Sequence, residues 1–579
     1  MVGVRRNYWV TGLLVFAAIA AAVIAGVKLR TDGPFSSPVL PAEDSFTHMA
    51  LVREHMRDGK LDPLNPGARL YPPGMHAFIA AAWVYTGLDL YELVRFLPIL
   101  WGALAIAGVG LLLLRSAGPV GAFVGALAMA VAPEVILRTT MLAPTALDIA
   151  LMPFLFYALV ETVKGRLWWG GVAGVITLFL VYMHPWLLGI LGTTGLLFVA
   201  FSILWPWPAS RGRPLTALGI ATATAVVGVG LGLSLSGCGT WCGPSFEDVV
   251  PDDFVLSGAQ LRMAAPLITV GSLLVASLFV LSRRGLDRFL NRPIPETAPV
   301  VSRGVASALL AVLVVVTAAP ALMSGMPRFV DPHSMFGYPI LALAAFALVA
   351  LPFVPSPAAN MGAALAFATY PFVLYNPLHS EFWPHRTAVY LGIGLCILAG
   401  VAGSLVVRGV REGVEASQRT SPGASRWARR SAVLLVPVVV AVCLGGTVYA
   451  ATPDPVGWYH LYEPCEFTTL QDAAAQATAN PYLHVITGDW ESKLVLAALA
   501  TNASRIWYKN DFFTSEAARD EVLRWHPVLV ITDKYLYNET PSADTSFLSS
   551  SPYQEVGRSC AAGDNPPVVL YAAARGAHT

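Results

Sequence analysis

Apolar runs of about 20 residues, the length a helix needs to cross a bilayer, recur along this 579-residue chain almost from its start. They lie near 8–27, 93–114, 119–137, 146–162, 167–183, 187–205, 214–235, 263–282, 304–323, 335–354, 358–376, 387–408 and 431–451. A water-soluble body could not cover so much apolar surface. Only 13% of the residues are Asp, Glu, Lys or Arg, about half the usual share of roughly 25%, and the mean hydropathy is +0.61. The chain is therefore expected to be an α-helical polytopic membrane protein with about 13 spans. A soluble enzyme, a secreted disulfide scaffold, a fibrous chain and a disordered chain are excluded. With a net charge of +1 and no basic stripe, no nucleic-acid partner is expected.

The first run follows Arg5-Arg6 and exceeds the roughly 7–15-residue apolar core of a signal peptide, so it is expected to stay as a span. Residues 76–87 are also apolar but short, and basic residues decide their place. If 76–87 does not cross, Arg115, Lys164, Arg166, Arg211, Arg213, Arg283, Arg284, Arg288, Arg292 and Arg303 all fall on the cytoplasmic side. So does the last basic loop, 409–430, expected to be a solvated linker. The topology that follows is a cytoplasmic N-terminus, an outer first loop over 28–92 with an interfacial or re-entrant helix at 76–87, and an extracytoplasmic C-terminus.

Residues 1–451 thus form the transmembrane domain. The segment 452–579 is richer in charge and alternates β-prone runs at 482–487, 528–532 and 568–571 with amphipathic stretches at 490–501 and 515–525, which predicts a small extracytoplasmic α/β domain. Of six cysteines, Cys238, Cys242, Cys465 and Cys560 fall in outer segments, where disulfides persist. Cys396 and Cys443 fall inside spans.

Polar side chains outside the spans gather on the outer face. They include Glu43, Asp44 and His48 in the first loop, His184, then Arg328, Asp331 and His333, and finally His379, Glu381, His385 and Arg386. Each has a plainer reading. Glu43 and Asp44 suit a helix start, Arg386 suits an interfacial anchor, and Asp331-Pro-His333 suits a turn.

The acidic Glu43-Asp44 followed by His48, an amphipathic stretch and Arg69-Leu-Tyr-Pro-Pro-Gly74 resembles the first outer loop of the C-type membrane glycosyltransferases, GT-C. The span plan with an outer α/β domain is similar to the catalytic subunit of oligosaccharyltransferases, and Ala132-Pro133 through Arg138 to Asp148 resembles that family's exit into its second outer loop. The resemblance implies transfer of a sugar from a polyprenyl-phosphate donor to a glycan, lipid or protein acceptor outside the membrane. It implies Asp44 as the catalytic carboxylate, Glu43 beside it, and Arg386 or Arg328 as the phosphate clamp. His48, Asp331, His333 and His385 become substrate contacts, and a divalent cation, Mg or Mn, stays open. Two departures are plain. Ala143-Pro-Thr-Ala-Leu147 stands where the second-loop acidic triplet would be, and the Trp-Trp-Asp motif is missing, so the implied acceptor is not fixed as asparagine. A transporter or flippase of lipid-linked glycans and a membrane-anchored sensor are the competing functions. The first predicts inverted repeats, which the sequence does not display.

Overall fold

The computed structural model describes residues 2–32, 37–57, 74–183, 187–204, 335–352, 356–375, 382–420, 462–500, 505–536, 542–560 and 566–574, with a few isolated neighbours. Before residue 452 the helices are α1 (Val2–Asp32), α2 (Ala42–Arg57), α3 (Gly74–Thr86), α4 (Leu90–Ser116), α5 (Gly118–Val131), α6 (Pro133–Arg138), α7 (Pro144–Val163), α8 (Trp168–Met183) and α9 (Leu187–Leu204). After the next described stretch begins come α10 (Tyr338–Ala350), α11 (Pro357–Tyr375) and α12 (Phe382–Thr420). Among the described residues four stretches are long and apolar enough to cross a membrane: Gly12–Asp32, Leu90–Ser116, Pro144–Val163 and Thr387–Glu412. The expected spans near 263–282, 304–323 and 431–451, and most of 214–235, lie outside the described residues.

Three expected boundaries are corrected. The first helix runs on to Asp32 rather than stopping before Lys28, and Lys28 pairs with Asp32 one turn later at 2.8 Å. The run 119–137 is not one helix: Ala132 is extended, with φ −64° and ψ 117°. Pro133 forces this, because it lacks an N–H and clashes with a helical residue before it. The helix α12 continues to Thr420, into the first half of the expected linker, since Arg, Glu, Gln and Ala are good helix formers. At 74–86, α3 has 13 residues, about 20 Å by helix rise and too short for a bilayer core.

The bundle core is built on α12, which packs against α5, α10 and α11, while α4 packs against α5 and α7. Glycines allow the closest approaches, as in membrane helix pairs generally. A Cβ on Gly400 would stand 2.7 Å from the backbone oxygen of Gly121 and 3.1 Å from the Cα of Gly125, both on α5. Backbone cannot yield as a side chain can. Gly400→Val is therefore expected to push α5 from α12 and cost about 1–3 kcal/mol, read as earlier thermal unfolding of the detergent-solubilised protein. An unchanged midpoint would mean that the helices are not in this close contact.

The C-terminal domain follows as α13 (Pro464–Ala479), β1 (His484–Thr487), α14 (Trp490–Leu499), β2 (Ile506–Tyr508), α15 (Asn510–Thr514), α16 (Glu516–Trp525), β3 (Val528–Thr532), β4 (Gln554–Arg558) and β5 (Val569–Ala573). The sheet order is β2-β1-β3-β5-β4, parallel from β2 to β3 and antiparallel beyond. Alternation divides the strands between two cores. Val485, Leu529 and Ile531 join Leu470 and Leu496 on one face, and Ile486 and Val530 join Phe512, Phe513 and Leu523 on the other. The result is the expected α/β domain, as a helix–sheet–helix sandwich. A disulfide between Cys465 and Cys560 ties the first turn of α13 to the chain after β4.

Asp489 and Asp533 stand just past the carboxyl ends of β1 and β3, each almost fully buried. Asp489 caps α14 through Ser492 N at 2.6 Å, and Asp533 accepts from Tyr462 Oη at 2.5 Å and Ser492 Oγ at 2.7 Å. Burial, then the Asp533 carboxylate, pushes the Asp489 carboxyl up to about 8. An acid whose folded-state value is raised contributes stability at low pH and loses it as pH rises. The loss runs from near 4, where an unfolded Asp titrates, through about 8. Asn caps a helix as well as Asp, so Asp489→Asn is expected to flatten this dependence and to melt later than the wild type above pH 8. A variant that keeps the wild-type pH profile would overturn this assignment.

Candidate active site

The segment between α1 and α2 is anchored to α4 before α2 begins. Arg95 Nη2 donates to Ser37 O at 2.7 Å and stacks 4.1 Å from the Phe35 ring centroid, while Tyr91 Oη donates to Pro38 O. The chain then turns into α2 through Ala42, whose φ of +59° is left-handed, a conformation costing a non-glycine residue about 1 kcal/mol. Such strain persists where surrounding contacts hold it. Here Ser45 does so. Its hydroxyl donates to Pro41 O at 2.5 Å and accepts from Leu142 N at 2.9 Å, joining the head of α2 to the segment between α6 and α7.

Asp44 is the third residue of α2 and is half-buried, so its charge sits at the favourable end of the helix dipole. His48 follows at i+4, on the same face. It is 1% exposed, and its Nδ1 lies 3.0 Å from Nε2 of His76, also 1% exposed, on the first turn of α3. One ring nitrogen of the pair carries the shared proton and the other accepts it. The face opposite is apolar. Phe46, Met49 and Val52 are fully buried in a core that also holds Trp101 of α4, Leu147 of α7 and Phe467 and Leu496 of the C-terminal domain. Arg53 closes this contact by donating to Leu499 O at 2.6 Å, and burial lowers its pKa from the ordinary arginine value.

Two further polar contacts brace the floor beneath. Arg30, at the end of α1, is fully buried; its Nε donates to Thr139 Oγ1 at 2.6 Å and its Nη1 to the carbonyls of Gly26 at 2.9 Å and Ala130 at 3.1 Å. Asp148 on α7 is also fully buried and accepts from Tyr390 Oη of α12 at 2.8 Å.

Of the residues expected from sequence, Asp44 and His48 are brought together on one face of α2. Glu43 is on the same first turn, and His385 and Arg386 are on the first turn of α12, with side chains outside those described. Arg328, Asp331, His333, Cys238 and Cys242 lie outside the described residues; Cys465 and Cys560 are joined to each other. Sequence reasoning missed Ser45, His76 and Arg30. A second histidine opening an apolar helix was the only signal for His76. Among the described residues no three His, Cys, Asp or Glu side chains are grouped as metal ligands. Among the described residues Asp44 belongs to no such group for the near-octahedral oxygen set that Mg requires, and no step below is routed through a divalent cation.

No protein-family model matches the chain, and no curated protein does. Solved structures do match over nearly its whole length. The oligosaccharyltransferase AglB from Archaeoglobus fulgidus, in complex with an inhibitory peptide and a dolichol-phosphate, matches with a TM-score of 0.56 and 14% identity, over 91% of this chain and 70% of that one. ArnT from Cupriavidus metallidurans, bound to undecaprenyl phosphate, matches with a TM-score of 0.54 and 14% identity, over 98% of each chain. This chain shares the overall fold of AglB and ArnT.

Proposed function

We propose that this GT-C-like chain is a membrane glycosyltransferase that transfers a sugar from a polyprenyl-phosphate donor to an acceptor outside the membrane. One observation carries this most: the half-buried Asp44 stands at the head of an outer helix, one turn before the buried His48–His76 pair. A carboxylate there can take a proton from an acceptor hydroxyl or amine as it attacks the anomeric carbon. The bond from that carbon to the phosphate oxygen breaks, and its electron pair leaves with the polyprenyl phosphate. The sugar ends on the acceptor and the proton on Asp44. Arg386, Arg328, His385, His333 and Asp331 are assigned to the phosphate and sugar, with Glu43 beside the base. The polyprenyl phosphates bound by AglB and ArnT support the donor class. The Cys465–Cys560 disulfide supports an oxidising, extracytoplasmic side for the C-terminal domain.

The test uses purified protein in lipid nanodiscs with a panel of dolichyl- and undecaprenyl-phosphate sugars, scored for released polyprenyl phosphate. Release from at least one donor is expected. If instead labelled donor only changes leaflets in proteoliposomes, the protein is a flippase and the transferase reading fails.

A further inference from the structure

The opposite end of α4 lies about 40 Å by helix rise from the end nearest Asp44, and it carries an arrangement that sugar transfer does not call for. Glu161, on the last turn of α7, has a fully buried carboxylate. It accepts from Arg115 Nε at 2.9 Å and pairs with Arg166 Nη1 at 2.9 Å and Lys164 Nζ at 3.6 Å. Lys164 Nζ also donates to Arg115 O at 2.9 Å, which locks the α4–α5 and α7–α8 turns together. One carboxylate faces three cations, so two positive charges are left over. Each arginine faces Glu161 with one nitrogen and keeps its other N–H donors. Their side chains are 47% and 54% exposed, and a guanidinium has five N–H donors in a planar fork that suits phosphate.

The surroundings give the chemistry of the occupant. Leu167 and Trp168 are exposed beside the cluster, and Trp168 stacks on Trp169 with centroids 4.2 Å apart; aromatic rings in this position mark the level of lipid headgroups. The helix α12 reaches the same end, where Ser404 Oγ donates to Ala117 O at 2.6 Å, and it carries exposed Arg408 one turn later. A soluble anion would need only the charge. A phospholipid would use both the charge and the apolar wall, as basic pockets between membrane helices do.

We propose that Arg115, Lys164 and Arg166, held in place by Glu161, bind the phosphate of an anionic phospholipid headgroup in the leaflet opposite Asp44. This site stands apart from the transferase reading and survives its failure.

The full-length protein is reconstituted with brominated phosphatidylglycerol or brominated phosphatidylcholine, and quenching of tryptophan fluorescence is compared with that of Trp168→Phe to isolate Trp168. Each net positive charge near the surface favours an anionic lipid about fivefold, so a preference for phosphatidylglycerol of about 25-fold is expected. The double variant Lys164→Gln/Arg166→Gln keeps the Arg115–Glu161 pair and is expected to bring the preference near unity. Arg166→Gln alone lowers it about fivefold and serves if the double variant does not fold. Glu161→Gln releases a third charge and is expected to raise the preference about fivefold. Purely structural cations would give no such opposed pair, and an unchanged preference in both directions overturns the proposal. So does saturable binding of inorganic phosphate in phosphatidylcholine nanodiscs without any headgroup preference, which identifies a soluble anion site.

Discussion

Asp44→Asn is expected to lower transfer from a lipid-linked sugar by about a thousandfold, within the range general-base removal produces, and to leave donor binding within a few fold. Asn at the third position of α2 forgoes only the interaction of the charge with the helix dipole, about 0.3–1 kcal/mol, and the head of α2 is held by Ser45 and Leu142. The variant therefore keeps its fold while losing the group that accepts a proton. The two outcomes separate cleanly. Loss of turnover with retained binding of labelled donor assigns Asp44 to the chemistry, whereas unimpaired turnover sinks the assignment. His76→Gln gives the companion measurement. It replaces the partner of His48 and leaves Asp44 in place, so its effect belongs in the pH profile and in KM more than in the total loss of kcat. A His76→Gln enzyme with the wild-type pH profile would remove the pair from the mechanism.

The largest effect on stability is expected at Arg30. Its guanidinium is fully buried and bonded to Thr139 and to the carbonyls of Gly26 and Ala130. A Cβ on Gly102 would come within 2.5 Å of its Nε, so the space around it is shaped for this side chain. Arg30→Leu removes the donors and leaves buried acceptors behind, each unsatisfied acceptor costing about 1–3 kcal/mol. Arg30→Lys is expected to restore little, because one ammonium on a flexible stem cannot reproduce the planar fork that reaches Thr139 and two carbonyls together. Thermal unfolding in detergent measures both. Arg30→Lys melting with the wild type would show that the charge alone matters and the geometry does not.

The four described stretches long and apolar enough to cross a membrane were legible because burial in lipid demands long runs without charge. Interruptions were less so. The break at Pro133 follows from a backbone rule, yet Ala132 and Pro133 are both apolar and left the hydropathy of 119–137 continuous. In the C-terminal domain β1, β3 and β5 were visible as β-prone runs. The strands β2 and β4 were not: the first has three residues, and the second, Gln554–Arg558, is mostly exposed and lacks an apolar face. The helix α13 was missed too, although Glu466 accepting from Glu463 N marks its start. In the candidate site, Asp44 and His48 were found because a helix face is a local property. His76 and Leu142 were not, since they meet α2 from 28 and 97 residues away, and no periodicity encodes such a distance.

The contact between α2 and α14 bears on how this protein could be cut or recombined. Phe46, Met49 and Val52 share one core with Phe467 and Leu496, and Arg53 is fastened to Leu499 O. The sequence suggests a seam near residue 452, with the spans on one side and the outer domain on the other. In three dimensions the seam is elsewhere, because the helix bearing Asp44 is upholstered by the far terminus of the chain. A truncation at 452 would strip the backing from α2 and expose its apolar side to water. A chimaera that exchanges the C-terminal domain would have to import a matching α2 surface along with it, so these two distant stretches of sequence have to be exchanged together.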